Sequence, residues 1–314
     1  MAKQSLSIVV PVFNESENLE HFYDAVRCEM DHLPYDWELI FVDDGSTDTT
    51  ILVRLEGEDA HVQSIFLSCN FGHQLALTCG LDHADGDAVI TLDGDMQHPP
   101  SLIPTLIGYW KEGYEVVQTI RDATADASWI KRKTSAAYYC WLNAISEIPV
   151  QPGGSDFRLM DRKVVLAFRR YREHARFIRG LIGSMGFRQK QVHFAAPPRY
   201  AGHSKFSPRK MLRLAIDGVL TCSTFPLRIG LYAGFLSVAL SFLVFLHVLY
   251  ETFVEADTVA GWPTIMACIL FFGGMQLMVL GLIGEYLGRT YEETKRRPLY
   301  LIARGMPKEG KPNP

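Results

Sequence analysis

The chain has 314 residues, 48% of them hydrophobic and 21% charged, with a formal net charge of −4 at pH 7. That balance excludes a disordered chain and a uniformly membrane-embedded one, and the mild acidity leaves no electrostatic footprint for nucleic acid. The six cysteines (Cys28, Cys69, Cys79, Cys140, Cys222 and Cys268) include no Cys-x-x-Cys pair, so neither a zinc site nor a disulfide framework is expected.

The first apolar run, SLSIVVPVF, is too short for a signal peptide and is interrupted by Pro11, so the segment ahead of any membrane span is expected to stay in the cytoplasm. It predicts a strand followed by a helix from near Ser16. WELIFVDDG predicts a second strand, with a helix from about Thr47. VQSIFLSCN precedes the helical HQLALTCGLDHA, DAVITLDGD precedes SLIPTLIGYWKEG, and YEVVQTIRD is fifth. These strands are continuous apolar runs rather than in-out alternations, the pattern of a parallel sheet covered on both faces. The βαβα order predicts a doubly wound α/β domain that binds its ligand at the carboxyl ends of the strands. Those ends carry Asn14 and Glu15, Asp43 and Asp44, Asn70, then Asp93 and Asp95.

The stretch VITLDGDMQHPP places Asp93 and Asp95 one residue apart, with Gln97 next. On an extended segment, side chains at i and i+2 point the same way, so these groups can converge. Two carboxylates and an amide suit a hard cation such as Mg²⁺ or Mn²⁺ completed by substrate phosphates. A polar turn capped by Asp is the alternative reading of that stretch alone. There is no Gly-x-x-x-x-Gly-Lys-Ser/Thr, no Gly-x-Gly-x-x-Gly after the first strand, no Gly-x-Ser-x-Gly and no His-Glu-x-x-His.

Further along, SPRKMLRLAIDGVLTCST predicts an amphipathic helix at 207–224. Met211, Leu212, Leu214, Ala215, Val219 and Leu220 share one face, suited to lying in a membrane interface or to ordinary packing. Two long apolar runs then predict spans at about 227–250 and 263–285, each long enough for a ~30 Å hydrocarbon core. The loop between them carries Glu251, Glu255 and Asp257 and no Lys or Arg. The flanks carry Arg209, Lys210, Arg213 and Arg228 before, and Arg289, Lys295, Arg296 and Arg297 after. The asymmetry predicts a multi-pass membrane protein with both termini cytoplasmic. Gly273, Gly274, Gly281 and Gly284 would let helices pack closely, with a homo-oligomer as one outcome.

VVPVFNE, VDDGSTD, CNFGHQLAL, LDGDMQHPP and SDFRLM, in this order and followed by a two-helix hairpin, resemble the polyprenyl-phosphate glycosyltransferases of family 2. The likeness runs from about Leu6 to Leu301, and GEYLGRTYEETKRRPLY is similar to the bactoprenol branch. It implies a GT-A fold and four regions: a cytoplasmic catalytic domain at 1–206, the interfacial helix at 207–224, a transmembrane hairpin at 225–288 and a cytoplasmic tail at 289–314.

The resemblance also implies roles. Pro11, Phe13, Glu15 and Asp43 would line the base and ribose pocket, and Asn70 and Asp93 would complete nucleotide-sugar binding. Asp93, Asp95 and Gln97 would hold Mg²⁺ or Mn²⁺. Arg121, Arg132, Ser135 and the RYAGHSK residues Arg199, Ser204 and Lys205 would meet the phosphate of a lipid acceptor, while Lys131 and Lys133 read as a solvated loop. Asp156 would act on catalysis as a positioning group, or as a base for the protonated minority of acceptor. Many members of the family carry an arginine where this chain has Cys69, so no arginine role carries over to that position.

The implied reaction moves one hexose, glucose from UDP-glucose by family weight, onto undecaprenyl phosphate with inversion. N-acetylhexosamine, galactose, mannose and a modified arabinose stand behind glucose. A processive polysaccharide synthase would carry Gln-x-x-Arg-Trp late in the catalytic domain, and no tryptophan lies between Trp141 and Trp262. A non-catalytic lipid-binding or translocating membrane protein is the alternative from a different class; two helices are few for a translocation path, and the spans contain no interior charge to mark one.

Overall fold

The computed structural model describes residues 4–122, 154–174, 176–194, scattered helical positions between 230 and 246, and 262–305. The interfacial helix expected at 207–224 lies outside the described residues. The described residues fall into two compact units, one α/β and one helical.

The α/β unit begins as the sequence predicts. Strands β1 (Ser5–Val12), β2 (Asp36–Asp43), β3 (Val62–Leu67) and β4 (Ala88–Thr91) alternate with helices α1 (Ser16–Asp31), α2 (Thr50–Glu58) and α3 (His73–His83). A short 3₁₀ turn, Pro100–Leu102, leads into α4 (Ile103–Lys111) and β5 (Val116–Arg121). After residue 153 come β6 (Gly154–Asp161), α5 (Arg162–Phe168), α6 (Ile178–Ser184) and β7 (Gln189–Phe194). Helix α7 (Trp262–Thr294) belongs to the helical unit, and β8 (Ile302–Arg304) returns to the sheet.

The sheet order is β7-β5-β6-β4-β1-β2-β3-β8. Strands β3, β2, β1 and β4 are parallel neighbours, as are β5 and β7. Strand β6 runs antiparallel between β4 and β5, and β8 runs antiparallel on the outer edge of β3. The sheet is therefore mixed, and β6, β7 and β8 go beyond the five predicted strands. The interior of β6 is buried, yet Asp156 and Arg158 interrupt its apolar pattern. Strand β7 alternates at an exposed edge and β8 has only three residues, so neither reads as a buried run.

Both faces of the sheet are packed. Leu6, Ile8, Val10, Leu39 and Phe41 meet Leu19, Phe22 and Val26 of α1 and Ile103 and Leu106 of α4. On the other face, Val9, Ile40 and Val42 meet Ala76 and Leu77 of α3, Phe168 of α5 and Ile178 and Leu181 of α6. Helix α3 approaches closely because residue 80 is glycine: a Cβ there would lie 2.2 Å from Val9 Cγ1.

Pro11 sits inside β1 without breaking the ladder. Val9 faces β4, its carbonyl accepting the Leu92 N–H, while Val12 faces β2, its carbonyl accepting the Asp44 N–H. Alternation turns the donorless Pro11 nitrogen toward β4, whose pairing with β1 has ended at Thr91.

Residues 302–304 join the sheet edge, and the segment just before them packs against it. Leu299 and Tyr300 are buried, and the Tyr300 hydroxyl donates to Asp82 Oδ2 at 2.8 Å.

In the helical unit, α7 holds 33 residues, about 50 Å at 1.5 Å per residue, longer than the span predicted at 263–285. Its last turns continue through ion pairs between Arg289 and Glu285 and between Lys295 and Glu292. Phe271–Thr294 is apolar and long enough to cross a membrane, with a mean hydropathy of 1.3 and none of that window buried inside the protein. Ser237 Oγ donates to Met275 Sδ, and a Cβ on Gly230 would touch Val279.

Candidate active site

The carboxyl ends of β1 to β5 and the amino end of β6 meet along one edge of the sheet. The loop after β1 is pinned to the loop after β2: Asn14, at φ 52°, accepts the Thr47 N–H on Oδ1 at 3.0 Å, and its own N–H donates to Ser46 Oγ. Gly45, at φ 75°, holds the next crossing, since a Cβ there would lie 2.7 Å from the Cys69 carbonyl carbon. Asp44 is buried and accepts the Phe71 and Gly72 N–H groups, tying the β2 end to the start of α3.

The residues expected at the nucleotide all stand at this edge. Phe13 is 46% exposed, Glu15 precedes α1, and Asn70 is exposed. Asp43 is buried, and its carboxylate accepts the Ser46 N–H, so much of its bonding is turned inward to the loop.

Asp93 and Asp95 are not on a strand. β4 ends at Thr91, and the chain turns through Gly94 and Met96, the latter at φ 60°. The i and i+2 argument from extended geometry therefore does not apply. A turn brings the two together instead, with Asp95 Oδ1 accepting the Gln97 N–H. Gln97 is buried, and its Oε1 accepts from Arg121 Nη1 at 2.9 Å, joining the predicted metal loop to a predicted acceptor cation.

Asp156 reaches the same place through strand register. Ala88 pairs with Asp161 and Thr91 with Arg158, so two residues further on Asp93 stands opposite Asp156. Thr91 Oγ1 donates to the Asp156 carbonyl at 2.6 Å, fixing the backbone there. The buried Asp156 carboxylate accepts from Arg179 Nε and Nη2, each at 2.9 Å, and from Arg158 Nη2 at 3.0 Å. His73 Nε2 lies 3.4 Å from Asp156 Oδ2 and 3.5 Å from Asp93 Oδ1, bridging the two acids.

Burial alone would raise the Asp156 pKa. The hydrogen bonds from His73 and Arg179 and the charges of Arg158 and Arg179 outweigh it, holding the carboxyl well below the usual carboxylate range. Burial lowers Arg158 to about 10, against the pull of Asp156. Burial pushes Asp93 upward, partly offset by His73 and His98. His73 is raised: burial lowers it, but its bond to Asp156 and the two acidic charges prevail.

Residues 7–183 match the glycosyl transferase family 2 model, and residues 225–290 match the GtrB C-terminal hairpin. The chain belongs to glycosyltransferase family 2. This glycosyltransferase is 41% identical to the uncharacterized glycosyltransferase YkcC of Bacillus subtilis (strain 168), over 97% of this chain and 95% of that protein. It is 40% identical to a bactoprenol glucosyl transferase of Shigella phage SfV, over 95% of this chain and 97% of that protein. The solved glucosyl-3-phosphoglycerate synthase of Mycobacterium tuberculosis with Mn²⁺ and UDP-glucose is 22% identical and covers 69% of this chain and 77% of its own, at a TM-score of 0.44. That likeness is too distant to carry substrate or metal across. The mixed sheet, with β3, β2, β1 and β4 parallel, is the GT-A-like architecture of the family.

The glycosyltransferase presents a partial donor set for a divalent cation. Asp93 Oδ1 is buried and accepts no hydrogen bond from the described residues. With Asp95 beside it, this lone pair fits a hard cation that takes most of its oxygens from a diphosphate and water. Among the described residues no cluster of three or more His, Cys, Asp or Glu could hold a metal, so a closed all-protein cage does not fit.

Arg132, Ser135, Arg199, Ser204 and Lys205 lie outside the described residues. The structure adds five residues that the sequence reading did not assign: His73, His98, Ser155, Arg158 and Arg179. His73, His98, Ser155 and Arg158 lie inside CNFGHQLAL, LDGDMQHPP and SDFRLM, but the partners that give them a role are not adjacent in the sequence. Nothing local to FIRGL marks Arg179, because its partner is 23 residues away in sequence.

Proposed function

We propose that this glycosyltransferase transfers glucose from UDP-glucose to undecaprenyl phosphate at the cytoplasmic face of the membrane. The observation that carries this reading is 40% identity to a bactoprenol glucosyl transferase along 95% of the chain, hairpin included. The phosphate oxygen attacks C1 in a single displacement with inversion, releasing UDP.

A phosphomonoester has its second pKa near ~6, so the acceptor is largely a dianion at neutral pH and needs no base. A permanently ionised Asp156, clamped by two guanidinium groups, suits orientation of the site rather than proton removal. Asp93 and Asp95 would hold Mg²⁺ or Mn²⁺, which would neutralise charge on the departing diphosphate. Pro11, Phe13, Glu15, Asp43 and Asn70 would face the nucleotide. Arg121, with Arg132, Ser135, Arg199, Ser204 and Lys205, would face the lipid phosphate. The hairpin would keep both termini cytoplasmic, so a reporter after Arg304 should read inside and one near Asp257 outside.

The test is purified protein with undecaprenyl phosphate, a panel of nucleotide sugars and Mg²⁺ or Mn²⁺. Glucosyl-phospholipid and UDP formed from UDP-glucose are expected. Turnover of another nucleotide sugar alone would replace glucose, and no lipid-linked product with any donor would overturn the acceptor.

A further inference from the structure

Beyond the acids, the β4–α4 loop holds a histidine that the proposed reaction leaves without a task. His98 is buried, and its ring lies against Phe157 (centroids 5.7 Å apart) and Phe194 (6.0 Å). Its Nδ1 accepts the Asp93 N–H at 3.2 Å, and its Nε2 is 2.6 Å from Ser155 Oγ. An Nδ1 that accepts a backbone N–H carries no proton, so Nε2 carries it and donates to Ser155. The Asp93 carboxylate, 3.4 Å from Nδ1, is then a neighbour rather than a partner.

Ser155 is a fixed anchor. Its hydroxyl oxygen also accepts the Phe157 N–H at 3.1 Å, and its carbonyl accepts from Arg158 Nη2. Its chain neighbour is Asp156, and the far end of the His98 ring holds the backbone of Asp93.

We propose that His98 is a positioning residue, a neutral two-ended tether that sets the separation of Asp93 from Asp156. The proposal rests on the reading of Asp93 as a donor-side ligand, and the tether itself is a matter of backbone geometry. β4 has stopped pairing with β6 at Thr91, two residues before Asp93. Past that point, the imidazole replaces the missing ladder bonds with one side-chain bridge. Misplacing a reacting group by about 1 Å costs on the order of a hundredfold in rate, so a short rigid link here bears directly on turnover.

The experiment compares the full-length wild type with His98→Phe, His98→Asn and His98→Gln. Phenylalanine keeps the packing on Phe157 and Phe194 but has neither hydrogen bond. Asparagine keeps an acceptor for the Asp93 N–H, and glutamine keeps a donor for Ser155. Hydrogen exchange over residues 92–98, without ligand, should speed up in the Phe and Gln variants and stay slow in Asn. kcat should fall roughly ten- to a hundredfold in all three, since either cut frees the tether. KM for the lipid should stay within about twofold, and Ser155→Ala should add nothing to His98→Asn. Wild-type kcat in His98→Phe, or losses that follow melting temperature while exchange at 92–98 is unchanged, would overturn the tether. A wild type that transfers no hexose would overturn the functional reading instead, and exchange alone would then decide the tether.

Discussion

Arg179 grips Asp156 as a fork: Nε reaches one carboxylate oxygen and Nη2 the other, each at 2.9 Å. Arg158 adds a third bond from a guanidinium that is 1% exposed. The acid that the family resemblance offers as a base is thus held ionised by cations on two sides.

This fixes the expected pH profile. The acid limb of kcat/KM should follow the second ionisation of the acceptor phosphate, near pH ~6, because the monoanion is the poorer nucleophile. Asp156→Asn should lower kcat and leave that limb in place. A limb that disappears in the variant would mean that a group coupled to Asp156, such as His73, sets it instead of the phosphate. Initial rates at saturating donor between pH 5 and 9 are sufficient to see it.

Stability gives a second expectation. Asp156→Ala strands Arg158, whose Nε and Nη1 already find no acceptor among the described residues. Breaking a buried pair from one side costs about 3–5 kcal/mol. Replacing both partners, as Asp156→Asn with Arg158→Met, should cost less than Asp156→Ala alone. The sign with pH follows from the depressed carboxyl: its contribution is complete above the unfolded value near ~3.9 and is lost as pH falls toward the folded one. The gap in melting temperature between wild type and Asp156→Asn should be widest near pH 5 and shrink in stronger acid. It should also narrow, without closing, above the ordinary histidine value near ~6.5, where His73, raised against its burial by the bond to Asp156, gives up its proton. A gap that closes completely by pH 8 would contradict the clamp of Arg158 and Arg179 on Asp156.

At the other acid, charge and turn can be separated. Asp95→Asn keeps an acceptor for the Gln97 N–H but removes the charge, so stimulation by Mg²⁺ or Mn²⁺ should vanish at unchanged melting temperature. Asp95→Ala should lose about 1 kcal/mol more through the turn. Metal-stimulated transfer by Asp95→Asn would remove this carboxylate from the metal set.

The first half of the sheet was legible because β1 to β4 are buried on both faces and their apolar runs are uninterrupted. The edge carrying Asn14, Asp43, Asn70 and Asp93 followed from strand direction alone. Strand β6 was hidden because it places two charged residues inside the fold, and only their pairing with each other and with Arg179 makes that tolerable. His98 and Arg179 were hidden for a related reason: each gains its meaning from a residue on another strand or helix, 57 and 23 positions away. Periodicity reports what a segment buries, whereas it is silent on which distant group a buried polar atom meets.

The returning C-terminal segment is latched to the α/β unit through Tyr300. Tyr300 donates to Asp82 Oδ2 at 2.8 Å, and Arg172 Nη1 reaches the same oxygen at 2.7 Å. Tyr300→Phe keeps the buried ring and removes one hydrogen bond to a charged group, a loss of about 1.5–3 kcal/mol. Deleting the chain from Leu299 should cost more. It removes two buried side chains, Leu299 and Tyr300, each contributing roughly 1.5–3 kcal/mol, uncovers the apolar surface they pack on, and strips β8 from the edge of β3. Asp82 and His73 stand nine residues apart on α3, about 14 Å along the axis, so the latch is remote from the acids. Tyr300→Phe should therefore melt earlier yet keep kcat within about twofold at 25 °C, whereas the truncated chain should aggregate on mild heating. Light scattering and thermal denaturation of the three proteins side by side check this. A truncated chain as stable as the wild type would show that β8 and Tyr300 do not hold the sheet edge.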